Sequence, residues 1–198
     1  IRKLSIKYKL PFWNIILSVA HFDYRESRFA DICFQIFTTL AYGGKGISYF
    51  RYFGADTGNY RMSPVDVFGN RTQTWYYVQN ANLMVQKLAP ILLKLSSTGV
   101  YHIGDLPAGC TALPGNTLVK SINGNTNILV GEFKHEDKSD YIMIVNKDFN
   151  KSLRFNIKLN SNSILKKISP YTGKLQNLNS EDNWLAPGQG MLFCIIPR

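Results

Sequence analysis

"GGKGISYFRYFG", residues 43–54, places a glycine-lysine-glycine break directly before a run of β-forming residues. The run ends with Tyr49, Arg51 and Tyr52, whose side chains can stack on a ligand or donate hydrogen bonds to it. Glycines at such a break are typical of the end of a helix. The stretch therefore predicts a short strand that follows a helix and finishes at a binding surface.

The residues before this stretch predict a strand and a helix. "FWNIILSVA", residues 12–20, is a continuous apolar run, which is typical of a parallel strand covered on both faces. "RFADICFQIFTTLAYGG", residues 28–44, has apolar side chains three and four positions apart and stops at two glycines. Ser27 is a possible N-cap for this helix.

The residues after it predict a long loop and a second helix. The loop covers residues 54–71 and contains Gly, Asp and Pro, and loops of this length in compact domains are usually functional. The helix covers about residues 72–95, and Pro90 is expected to kink it.

After about residue 100 the pattern changes to short alternating strands separated by Asn, Gly, Asp and Ser. We therefore predict two domains, an α/β part over residues 1–103 and a small antiparallel β-sandwich over residues 104–198. Residues 104–127 are interpreted as the connecting segment. Because two βα units cannot cover a parallel sheet alone, we expect the first part to be the end of a larger α/β domain.

Composition narrows the possible functions. The net charge of +10 comes from scattered Lys and Arg without a nucleic-acid-binding motif, so no nucleic acid partner is expected. No apolar stretch is long enough to span a bilayer, so no membrane is expected. Cys33, Cys110 and Cys194 are widely spaced and are interpreted as free or buried thiols. The histidines lack metal-site spacing, and we expect neither a metal nor an organic cofactor.

Residues 10–103 resemble the last two βα units of the (β/α)8 barrel in β-galactosidase-type glycoside hydrolases. The phrases that carry the resemblance are "RFADICFQIFTTLAYGGKGISYFRYF" and "GNRTQTWYYVQNANLMVQKLAPILLKL". The tail, with "IVNKDF", "YTGKL" and "LAPGQG", resembles the β-sandwich that commonly follows such barrels. The fold class implied is α/β plus all-β, the end of a TIM-type barrel followed by a β-sandwich.

The resemblance places candidate substrate-binding residues at the carboxyl ends of two strands, where barrel enzymes build their active sites. Because side chains alternate along a strand, only one of two pairs can point towards the binding surface: either Tyr49 and Arg51, or Phe50 and Tyr52. The candidates for sugar binding are His21, Asp23, Tyr49, Arg51, Tyr52 and Asp56, and the loop side chains Tyr24, Glu26 and Arg28 could also line the cleft. Glu26 is a weak candidate for a catalytic role.

One departure from the family bears on catalysis. The nucleophilic Glu of such enzymes would fall near residues 18–21, where this chain has Ser, Val, Ala and His. Glycoside hydrolysis needs two carboxylates at a defined separation. The catalytic residues therefore stay unknown, and the chain alone is expected to be inactive.

Two functions remain open from the sequence. The first is the C-terminal portion of a glycoside hydrolase acting on an oligo- or polysaccharide, completed by a missing N-terminal part or by another chain. The alternative is a non-catalytic carbohydrate-binding or scaffold protein that lacks the nucleophile. In either case the expected partner is carbohydrate, and export from the cytoplasm would fit proteins of this kind.

Overall fold

The computed structural model describes residues 1–123, 127–179, 181 and 183–198. Residues 124–126, part of the predicted connecting segment, lie outside this range. Before residue 95 the elements are α1 (Arg2–Tyr8), β1 (Trp13–Leu17), α2 (Phe29–Ala41), β2 (Gly46–Phe50) and α3 (Gln73–Leu92). The later strands are β3 (Leu95–Ile103), β4 (Val119–Asn123), β5 (Ile128–His135), β6 (Asp140–Asn146), β7 (Leu153–Arg154), β8 (Asn156–Leu159), β9 (Ser163–Ile168), β10 (Leu175–Asn177), β11 (Trp184–Leu185) and β12 (Gly190–Pro197).

The first half contains one β–α–β unit. Strands β1 and β2 pair in parallel, with Ile15 opposite Ser48 and Leu17 opposite Phe50. Helix α2 connects them and buries Ile32, Ile36 and Phe37, each of which stabilises the fold by about 1.5–3 kcal/mol. The helical spacing of apolar residues explains why this face is the buried one.

The centre of the molecule is a six-stranded sheet in the order β10-β9-β12-β6-β5-β3. Its paired neighbours run antiparallel. Strand β6 contributes side chains to both faces of the sheet. Met143 and Val145 pack towards the helices, and Ile142 and Ile144 pack on the opposite face. Such a continuous apolar run is what a strand buried on both faces requires.

Each face of the six-stranded sheet is covered by different elements. One face packs against α2 and α3 in a core that includes Leu88 and Phe133. The other face is covered by two short antiparallel pairs, β4 with β8 and β7 with β11, in a core that includes Phe155 and Phe193. The result is a layered structure with helices on one side of the sheet and small two-stranded sheets on the other.

The predicted fold class, the end of a (β/α)8 barrel followed by a β-sandwich, is wrong. A barrel end requires several consecutive α/β units, whereas the structure is mostly β with several antiparallel sheets. Within the described residues, parallel pairing of named strands is limited to β1 and β2. After α3 the chain enters β3, which joins the six-stranded sheet antiparallel to β5 instead of extending a parallel sheet.

The predicted domain boundary between residues 103 and 104 stays a prediction. Strand β3 precedes that boundary and pairs along its length with β5, which follows it. The backbone of His102 also bonds across it, donating to the carbonyl of Thr111 at 2.8 Å and accepting from Leu113 at 3.0 Å. These hydrogen bonds tie residues of the two predicted parts into one sheet.

Candidate functional site

The carboxyl ends of β1 and β2 carry a cluster of rings that we call the aromatic rim. His21 is its centre, with ring centroids 5.2 Å from Phe22, 5.0 Å from Tyr24, 5.3 Å from Phe50 and 5.6 Å from Tyr60. Parallel pairing explains why His21 and Phe50 meet, because equivalent ends of neighbouring parallel strands lie at the same edge of the sheet. The backbone continues the pairing, since Ser18 N donates to the carbonyl of Phe50 at 2.8 Å.

The loop of residues 51–72 contributes Tyr60 to the rim. Ala20 and Arg61 exchange backbone hydrogen bonds of 3.0 and 2.8 Å, which bring the loop onto the end of β1. The Arg61 guanidinium then donates to the carbonyl of Tyr24 at 2.9 Å. These hydrogen bonds hold two separate segments of the chain together at the rim.

A cation lies directly beside the rings. The Arg51 guanidinium carbon is 5.1 Å from the centroid of Tyr60, in a cation–π arrangement. The Phe50–Arg51 peptide bond is cis. Tyr52 follows with its ring 5.7 Å from that of Phe53, and both of these side chains are exposed.

The structure separates the candidates predicted from the sequence. His21 and Arg51 lie in the rim, whereas Tyr49 faces the helices and its hydroxyl donates to Asn82 Oδ1 at 2.6 Å. Burial raises the pKa of the Tyr49 phenol to about 12, so it stays protonated. Asp23 and Asp56 are exposed loop residues outside the ring contacts.

The carboxylates near the rim differ in their surroundings. Glu26 is exposed in the loop between β1 and α2. In contrast, Asp31 at the start of α2 accepts from Arg25 Nη1 at 2.6 Å and from the Arg28 backbone N–H at 2.8 Å. Burial alone would raise the pKa of Asp31, but the hydrogen bonds from Arg25 and Arg28 outweigh it and lower the pKa. Asp31 is therefore an ionised structural carboxylate, unsuited to act as a general acid.

Two rim residues were missed by the prediction, Phe22 and Tyr60. Phe22 directly follows the predicted His21, so its position after a buried strand was a usable signal. Tyr60 is ten residues beyond β2 in a loop, and its place depends on the Ala20–Arg61 pairing, which the sequence pattern does not indicate.

A second polar cluster has a structural role. Lys147 Nζ donates to His102 Nδ1 at 3.3 Å, so the ring proton lies on Nε2 and is donated to the Tyr42 hydroxyl at 3.1 Å. The Tyr42 hydroxyl oxygen lies 3.6 Å from the Cys110 sulfur. Burial and the nearby Lys147 lower the pKa of His102, which keeps the imidazole neutral. The chain of contacts joins α2, β3 and the segments after β3 and β6.

Other features of the described residues limit the chemistry. Cys33, Cys110 and Cys194 are free thiols, as predicted. In the described part of the chain, no group of three or more His, Cys, Asp or Glu side chains is placed to hold a metal ion. Across the same part of the chain, no helix combines the length and apolar character that crossing a membrane requires.

No model of a known protein family matches this sequence, and no curated protein is similar to it at a significant level. The resemblance to β-galactosidase-type glycoside hydrolases therefore rests on the quoted sequence phrases alone.

Proposed function

We propose that this chain binds carbohydrate at the aromatic rim. The observation that carries the proposal is a set of exposed aromatic side chains beside a guanidinium at the joined ends of β1 and β2. Phe22 is 74% exposed and Tyr24 is 56% exposed, so their faces are open to solvent. Aromatic faces stack on the apolar faces of sugar rings, and Arg51 supplies donors for hydroxyl groups.

The rim suits an extended sugar better than a small enclosed ligand. Its rings come from three segments, the loop after β1, the end of β2 and the loop of residues 51–72. An exposed platform of this kind can contact successive sugar units, whereas an enclosed pocket would surround one. An oligo- or polysaccharide is therefore the proposed ligand class.

Titration calorimetry with a panel of oligosaccharides tests the proposal. Phe22→Ala removes an exposed ring, and Tyr60→Ala removes the ring that stacks on His21 and lies under Arg51. We expect Phe22→Ala to weaken binding by about fivefold, since a stacking contact is worth on the order of 1 kcal/mol. Tyr60→Ala should weaken binding as well, because Arg51 and His21 lose the ring that they pack on. Trp184→Ala, at a half-exposed aromatic on β11, is the matched control and should bind like the wild type.

The proposal fails if no oligosaccharide binds to the wild type, or if Phe22→Ala and Tyr60→Ala both bind as the wild type does. Far-ultraviolet circular dichroism of each variant shows whether a loss of binding comes from a loss of folding.

Hydrolysis of glycosidic bonds is a second proposed function, favoured by the exposed carboxylates Asp23 and Glu26 in the loop that carries Phe22 and Tyr24. The reaction needs a second carboxylate placed roughly 5–10 Å from the first. We expect this chain alone to bind without turnover and to need carboxylates from another chain or a further part of the protein. Turnover of a chromogenic glycoside that disappears in Glu26→Gln would instead assign the catalytic role to this loop.

A further inference from the structure

A large apolar cavity, which shares no lining residue with the rim, lies between the helices and the loops of the central sheet. Its volume is about 830 Å³, within the range of small-molecule binding sites. The walls come from the start of α2, the middle of α3 and the loops after β6, β9 and β11. The floor includes Cys33 and Met84, which are buried, while Leu83 and Tyr171 stand exposed at the mouth.

Two glycines let the loops approach the helices closely enough to form these walls. A Cβ on Gly188 would lie 2.1 Å from the carbonyl oxygen of Ala30 in α2. One on Gly173 would lie 2.7 Å from the carbonyl oxygen of Lys87 in α3. Both glycines have positive φ angles, 68° and 70°. Close contacts between backbone segments therefore hold these two walls of the cavity in place.

The charges at the cavity have one sign. Among the described residues that line it, Arg28 and Lys87 are cationic and none is acidic. Arg28 is already engaged, because it donates to Asn150 Oδ1 at 2.9 Å and lies 3.5 Å from the Asp31 carboxylate. Lys87 has no side-chain hydrogen bond or ion pair with any residue that the structure describes. Within the described part of the chain, Lys87 is thus a positive charge without a partner at the mouth of an apolar space.

The floor cannot supply a negative charge that would neutralise this cation. Burial raises the pKa of the Cys33 thiol to about 12, so the thiol stays protonated at neutral pH. Met84, which also lines the cavity, is an uncharged and adaptable thioether. The floor is therefore neutral and apolar, and the lining residues that the structure describes carry a net positive charge.

We propose that this cavity binds a small amphipathic monocarboxylate, with its apolar body against Cys33, Met84 and Phe29 and its carboxylate at Lys87. The apolar body gains the free energy of leaving water, and Lys87, the one unpaired cation among the described lining residues, matches a single negative charge. The site is separate from the carbohydrate-binding proposal and does not depend on it.

Methionine methyl NMR provides a local reporter. The chain has four methionines, and Met84 lines the cavity while Met62 lies in the loop of residues 51–72 near the rim. With dodecanoate below its micelle concentration as the probe, the Met84 signal should shift saturably and the Met62 signal should stay unchanged. Met84→Leu and Met62→Leu assign the two signals. A saturable shift at Met62 without one at Met84 would place the ligand elsewhere and overturn the proposal.

Three twelve-carbon probes separate charge from apolar burial. Dodecanoate should bind more tightly than dodecanol, and dodecylammonium should bind least. Lys87→Ala should weaken dodecanoate about two- to fivefold, the range for a partly exposed ion pair, and leave dodecanol unchanged. Lys94→Ala, at an exposed lysine beyond the end of α3 and outside the cavity, is the matched control and should change neither affinity.

A blocking variant tests the location independently of charge. Ala186 is exposed at the cavity wall, so Ala186→Trp adds bulk without entering the core. We expect it to abolish dodecanoate and dodecanol binding together. Equal affinities for the anion and the cation, or unchanged binding by Ala186→Trp, would overturn the proposal.

Discussion

Asp31 anchors residues 25–28, the segment that links the loop carrying His21, Phe22 and Tyr24 to α2. Its carboxylate is largely buried and accepts hydrogen bonds from Arg25 and Arg28, the two ends of the segment that leads into α2. Ser27, suggested as the N-cap by the sequence, is not the cap: Arg28 is the N-cap residue of α2, and its backbone N–H donates to Asp31 in the first turn, while the Ser27 hydroxyl donates to the carbonyl of Leu17 at 3.4 Å.

Asp31→Asn should destabilise the protein by about 1–2 kcal/mol at pH 7, because it weakens hydrogen bonds made to a charged group while Arg25 stays mostly exposed. Since the pKa of Asp31 is lowered in the folded state, its contribution is fully present above its unfolded value of about 3.9 and is lost as the pH falls through the folded value. Urea unfolding of both proteins at pH 7 and pH 3 measures this, and the difference should shrink at pH 3.

Asp140→Asn is the matched control for that experiment. Asp140 pairs with Lys134 at 2.6 Å, but both side chains are partly exposed, so the loss should be at most about 0.5 kcal/mol. An Asp31→Asn effect that is no larger than this, or that does not depend on pH, would show that Asp31 does not stabilise the loop through its charge.

Single residues also show where sequence reasoning reaches its limit. Alternation along β2 set Tyr49 and Phe50 on opposite faces, but it also placed Arg51 with Tyr49, whereas the structure has Tyr49 against α3 and Arg51 in the aromatic rim. Alternation also could not say which face was buried. The structure decides this through α3, because Asn82 and the apolar face of that helix cover Tyr49. A contact between elements so far apart in sequence leaves no trace in the local pattern.

At the level of elements, the helices were the most predictable parts. The apolar spacing and the glycine stop gave α2 within a few residues of Phe29–Ala41, and the predicted second helix, residues 72–95, overlaps α3 at Gln73–Leu92. The sequence did not predict that β3 starts at Leu95, because residues 96–99, "SSTG", are typical of a turn. In the structure these residues pair with β5 with a register shift between Ser97 and Gly99, which accommodates the irregular sequence.

The packing of the loop before β12 against α2 can be tested at Gly188. A side chain there would combine a positive φ of 68° with a Cβ 2.1 Å from the Ala30 carbonyl oxygen. Gly109 has a similar φ of 76° but no atom within 4 Å of a built Cβ, which makes it the matched control. Gly109→Ala should cost about 1 kcal/mol from backbone strain alone, and Gly188→Ala should cost at least about 2 kcal/mol more.

Thermal and urea unfolding of the two glycine variants give the comparison. Equal losses of stability would mean that the loop moves away from α2 without cost, in which case the cavity wall is not fixed by this contact. A larger loss of stability in Gly188→Ala, together with weaker dodecanoate binding, would support the inference that this backbone contact fixes the cavity wall.

At the scale of the whole molecule, the error in the predicted fold has a physical cause. A βαβ segment is a local pattern that barrels, open sheets and mixed folds all contain, so it does not determine which strands pair next. Here β3 pairs with the six-stranded sheet because β5 is a long, apolar strand that can pair with it in the antiparallel direction. Both hydrophobic cores pack on this six-stranded sheet, so the sheet, and not the parallel pair, determines the arrangement of the other elements.

The parallel pair leaves one apolar face exposed. Trp13 and Ile15 are 67% and 65% exposed, and Phe50 on β2 lies on the same face beside Ser48. Among the described residues, β1 and β2 have no other strand neighbour. Exposed apolar surface next to open strand edges favours association with other chains.

We therefore expect this chain to self-associate at high protein concentration, and Ile15→Lys to reduce the association. Because copies with a net charge of +10 repel each other, raising the salt should strengthen the association as the screening length falls from about 10 Å at 0.1 M to about 3 Å at 1 M. Sedimentation velocity over a concentration series at both salt concentrations measures this. Leu106→Lys introduces the same charge at a half-exposed loop position and should reduce the association less. Association that weakens with salt, or that both variants reduce equally, would show that charge and not the β1–β2 face controls it.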